Sequence, residues 1–69
     1  MNIDTLVMMA NQIARNFAVR GEEAAVAAVA EHIRDFWDPR MKAAIVSANI
    51  DQLDPIAAKA IARLGSGPF

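Results

Sequence analysis

Asp35 to Lys42 reads DFWDPRMK. The pair that decides the fold is Asp38-Pro39. A residue that precedes proline is pushed out of the α region. Proline itself fits the first position of a helix, where its missing N–H costs nothing. Asp38 can accept a hydrogen bond from a free N–H of the following turn. The stretch therefore predicts a helix that ends near Trp37, a corner at Asp38 and a new helix from Pro39. Leu53 to Lys59, LDPIAAK, repeats the device with Asp54 and Pro55.

Reading outward from these corners gives four helical segments, with no strand pattern and no repeat. The first runs from about Asp4 to Val19, with Ile3, Leu6, Ala10, Ile13 and Phe17 at the three- and four-residue steps of one helical face. Asp4 is its expected N-cap, and Gly21 its stop, because glycine enters the left-handed cap cheaply. The second runs from about Glu22 to Trp37. Glu22 and Glu23 sit at the positive end of its dipole, and Val26, Val29, Ala30, Ile33, Phe36 and Trp37 form its apolar stripe. Its back, Ala24, Ala27, Ala28 and Glu31, is mostly small. The third spans about Pro39 to Ala48, with Met41, Ala44, Ile45 and Ala48 inward. The fourth spans about Pro55 to Leu64, with Ile56, Ala57, Ala60, Ile61 and Leu64 inward, and Gly65 ends it. The expected fold is all-α: one domain over residues 1–64, a small bundle of about four short helices with Asp-Pro helix starts. Residues 65–69, GSGPF, read as a loose tail.

Composition narrows the function. The chain has 69 residues, and a core of that size rarely supplies more than about 3–5 kcal/mol without a staple. There are no cysteines and one histidine, His32. Disulfides, thiolate-bound zinc or iron–sulfur clusters and multi-histidine metal sites are thereby excluded. A partner chain is the staple left open. The 55% hydrophobic fraction is rich in alanine, which favours helix but buries little area. A formal charge of −1 gives no basic face for nucleic acid. The start of the chain does not read as a signal peptide, and no apolar run approaches the ~20 residues that span a bilayer. A cytoplasmic location is expected, with no membrane and no nucleic acid among the partners.

Several residues suit a partner surface. Met8 falls on the polar face of the first helix, with Asp4, Gln12 and Arg15; Val19 joins it near the helix end. Val46 reads as outward, beside Lys42. Single exposed hydrophobes are normal, but on a chain with a thin core they favour burial against another protein. Trp37 reads either as a core residue that closes the corner or as an interface anchor beside Arg40, since tryptophan and arginine are both enriched among interface hot spots. His32 sits at the edge of the second helix's stripe, one turn before Phe36, with no partner for general-base work. Glu31 and Arg34 are spaced for a weak surface ion pair.

Three blocks together resemble a known family. LVMMANQIARNF (Leu6 to Phe17), VAEHIRDFWDPRMKAAI (Val29 to Ile45) and LDPIAAKAI (Leu53 to Ile61) are similar to the delta subunit of NAD-dependent, molybdenum-containing formate dehydrogenases. His32, Phe36, Trp37, Pro39, Arg40 and Met41 match its pattern in order and spacing. The resemblance implies a small non-catalytic subunit of a cytoplasmic oxidoreductase complex. It implies that the molybdenum cofactor, iron–sulfur clusters, FMN and NAD belong to partner subunits, with no cofactor or metal site and no catalytic residue in this chain. The expected partner is the large catalytic subunit, met through His32, Phe36, Trp37, Arg40, Met41 and Met8. The alternative is a helix-turn-helix nucleic-acid-binding module, with Arg40, Lys42, Ser47 and Asn49 on its recognition helix; the charge balance argues against it. Direct catalysis around a lone histidine is the weakest reading.

Overall fold

The computed structural model of the chain describes residues 2–47 and 50–65. Within them lie four α-helices and no strand: α1 (Ile3–Phe17), α2 (Glu22–Phe36), α3 (Pro39–Ser47) and α4 (Pro55–Gly65). A turn of 3₁₀ helix, Ala18–Arg20, extends α1, and another, Ile50–Gln52, precedes α4. The expected inward residue Ala48, the recognition-helix residue Asn49 and the tail residues 66–69 lie outside the described residues.

Local chemistry accounts for most of the boundaries. Gly21 has φ +93°, a backbone conformation that costs glycine little, and it separates the 3₁₀ turn from α2. At the Asp38 corner the Met41 N–H donates to Asp38 Oδ1 at 2.9 Å. That is the cap the sequence predicts. Two other caps differ. Asn2, not Asp4, caps α1, since its Oδ1 accepts from the Asp4 N–H at 2.8 Å. Asp54 does not repeat the Asp38 device. Its carboxylate lies 3.6 Å from Arg15 Nε, and its N–H donates to Asn11 Oδ1 at 2.7 Å.

Asn11 fastens α1 to the start of α4 at two points, because its Nδ2 also donates to the Gln52 carbonyl at 3.0 Å. Further along α4, Lys59 Nζ donates to Glu22 Oε2 at 2.8 Å, an exposed pair worth at most about 1 kcal/mol. The bundle is held mainly by its core. Leu6, Ile33, Ile45 and Val29 are its largest fully buried side chains. Around them pack Val7, Ala10, Ala14, Val26, Trp37, Leu53, Ala57, Ala60, Ile61 and Leu64. The widest helix contact is α2 against α4, and α1 lies across α2, α3 and α4.

That position of α1 changes its inner face. Leu6, Val7, Ala10 and Ala14 are buried, Ile13 and Phe17 are half-buried, and Ile3 is exposed. A helix that meets three neighbours buries a broader arc than a single stripe, and the alanines let the others approach. Val46 also departs from expectation: it is half-buried against the core. Its Cγ1 would lie 3.1 Å from a Cβ placed on Gly65, so the bare glycine at the end of α4 lets the two helices close.

Candidate interaction surface

The corner between α2 and α3 separates two adjacent aromatics. Trp37 is 6% exposed and belongs to the core, whereas Phe36 is 76% exposed. A helix turns about 100° per residue, so neighbours at a helix end diverge. Trp37 leaves the helix in an extended conformation, φ −87° and ψ 141°, and its indole goes inward. Phe36, placed inward by the periodicity of α2, instead projects from the last helical position. Trp37 is thus unavailable as a surface anchor.

Phe36 is not isolated. Its ring lies 4.8 Å from that of His32, centroid to centroid, and His32 meets the Phe17 ring edge-on at 6.4 Å. The Arg20 guanidinium carbon sits 4.7 Å from the Phe17 centroid, within cation–π range. The result is a shelf of four side chains, Arg20, Phe17, His32 and Phe36. It borders a groove of about 230 Å³ that Ala28, Glu31 and Asp35 complete. Arg34 Nε donates to Asp35 Oδ1 at 3.0 Å, so the expected Glu31–Arg34 pair gives way to the neighbouring carboxylate. The hydrogen bond to Asp35, and then its charge, raise Arg34 above the ordinary guanidinium value.

The remaining candidates fall elsewhere. Arg40 is exposed at the start of α3 and Met41 is half-buried against the core. Lys42 Nζ donates back to the Arg34 carbonyl at 3.3 Å, which ties α3 to the end of α2. Met8, 62% exposed, lines a different and larger groove of about 620 Å³, with Asp4, Asn11, Gln12, Arg15 and Gln52 among its walls. No residue is shared between the two grooves. The structure therefore brings together His32 and Phe36 and adds Phe17 and Arg20, which the sequence pattern alone does not mark as site residues. Phe17 and Arg20 are three residues apart, a helical spacing that could have signalled their pairing. Among the described residues no group of three or more His, Cys, Asp or Glu is placed to hold a metal ion. No helix among them is long and apolar enough to cross a membrane.

Fold and surface describe a small all-α protein whose most distinctive exposed feature is an ordered aromatic shelf. The family model described as "NADH-dependant formate dehydrogenase delta subunit" matches residues 5–61, and the chain belongs to that family. No curated protein and no solved structure matches it.

Proposed function

We propose that the chain is a non-catalytic accessory subunit that docks on the large, molybdenum-cofactor subunit of a cytoplasmic NAD-dependent formate dehydrogenase and supports its assembly or stability. In this reading formate oxidation, electron transfer and NAD reduction take place in other subunits, which hold the molybdenum cofactor, iron–sulfur clusters and FMN. The observation that carries it is Phe36, 76% exposed at the corner, in a chain of the delta-subunit family. An aromatic ring already packed at a tilt against His32 loses little conformational freedom when a partner covers it, which favours an interface role over an idle surface ring. Arg40 stands at the same corner, exposed at the start of α3, and can make charge-assisted hydrogen bonds to a partner carboxylate.

The test is co-purification of the large subunit with tagged chain from cells that express the whole complex. Phe36→Ala with Arg40→Ala should lower recovery at least tenfold while the variant stays helical by circular dichroism. A folded double variant that retains the large subunit at wild-type level refutes the assignment of this surface. Trp37 is not part of the test, because losing that buried residue would unfold the chain whether or not it touches a partner.

A further inference from the structure

We propose that Met8 is the site at which this chain is oxidised by peroxide, and that the resulting sulfoxide changes the surface of its groove without unfolding the bundle. That groove runs along α1 and shares no residue with the aromatic shelf, so the inference does not depend on docking. The chain has no cysteine, and therefore no thiolate to react with peroxide ahead of a thioether. Among the described residues the methionines are Met8, Met9 and Met41. Met8 is 62% exposed. Met9 and Met41 are half-buried and pack against the core. One residue turns a helix by about 100°, which is enough to leave Met8 in solvent and set its neighbour Met9 against the core.

The reaction is a two-electron transfer. A sulfur lone pair attacks one oxygen of hydrogen peroxide, a sulfur–oxygen bond forms and the O–O bond breaks. The departing hydroxide takes the proton of the transferred hydroxyl and leaves as water. Such an attack needs open space beside the sulfur, which a side chain packed on the core lacks. The product is a polar group whose oxygen accepts hydrogen bonds, and it disrupts an apolar core. At Met8 that oxygen faces water. Gln12 stands four residues further along α1 and Arg15 seven, which places both on the same side of the helix. Both are exposed, both line the groove, and both carry N–H donors. Oxidation thus replaces an exposed thioether by an acceptor on a face that carries donors. The residues that α1 buries, Leu6, Val7, Ala10 and Ala14, keep their packing. An external dithiol reverses the step, since it removes the oxygen as water and ends as a disulfide.

Treating the full chain with dilute hydrogen peroxide, and following each methionine by tandem mass spectrometry of proteolytic fragments, tests this. Met8 should gain oxygen several-fold faster than Met9 and Met41 in the folded chain. In urea, where the fold is lost, the three should react at similar rates, which separates the effect of structure from that of local sequence. Met9→Leu with Met41→Leu keeps both packed positions apolar and leaves Met8 to react. After peroxide this variant should retain its far-UV circular dichroism and its own untreated urea midpoint. Met8→Gln places a polar acceptor at the same position without any oxidant, and should keep the wild-type midpoint. Equal rates for Met8 and Met9 in the folded chain overturn the assignment of the site. A lowered midpoint in either the oxidised double variant or Met8→Gln overturns the inference that the fold tolerates the change.

Discussion

Replacing Trp37 and replacing Phe36, neighbours in sequence, should have sharply different effects on stability. Trp37 is 6% exposed within the core, and truncation of a buried tryptophan to alanine costs about 3–5 kcal/mol through lost transfer energy and an unfilled cavity. A chain this short has about 3–5 kcal/mol in total. Trp37→Ala should therefore abolish the cooperative transition. Phe36 is 76% exposed, so only about a quarter of its surface is removed from water. Taking roughly 200 Å² for a phenylalanine, the hidden part is about 50 Å². At about 25 cal/mol per Å² its loss costs about 1 kcal/mol, an upper figure because the unfolded chain also hides some surface. In a domain of this size that corresponds to a fall in Tm of about 4–8 °C. Thermal and urea unfolding followed by far-UV circular dichroism separates the two. A Trp37→Ala chain that unfolds cooperatively near the wild-type midpoint, or a Phe36→Ala chain as damaged as Trp37→Ala, refutes the inward-outward division at the corner.

Two further substitutions probe the connections between helices. Asn11→Ala removes both bonds from α1 to the start of α4 and leaves the half-buried Asp54 N–H without its acceptor, so it should cost about 1–2 kcal/mol in urea unfolding; the exposed neighbour Gln12→Ala should stay within about 0.5 kcal/mol. Asp38→Ala removes the cap on α3 and should cost about 1 kcal/mol, whereas Asp38→Ser should restore most of it, because serine caps nearly as well; equal urea midpoints for the two variants would count against the cap.

The proposed covering of the shelf would remove exposed apolar surface from water. Ile3, Met8, Val19 and Phe36 are the exposed large hydrophobics among the described residues. Single exposed hydrophobes are ordinary in soluble proteins. Phe36 differs because its ring packs against His32, which in turn meets Phe17. An ordered ring at the surface contributes area to an interface at little entropic cost. That is the physical reason Phe36, and not its neighbour Trp37, is the residue proposed for an interface.

The helix boundaries were legible because they are local. Pro39, Pro55 and Gly21 act on their own backbone dihedrals, and Asp38 reaches only three residues along, so no distant contact is needed to place them. The delta-subunit resemblance, too, was legible in the order of residues from His32 to Met41. What the linear text could not decide was which atoms a second helix would cover. Asn2 and Asp4 are both competent caps, and the folded start of α1 chose the first. Asp54 and Asp38 precede proline alike, yet Asn11 and Arg15, far away in sequence on α1, draw Asp54 into another network. Phe36 fits the apolar stripe of α2 by angle, but the stripe is buried only where α1, α3 or α4 lies over it, and at the last turn none covers the ring. Periodicity names the side of a helix, and the positions of its neighbours set how far along that side burial extends.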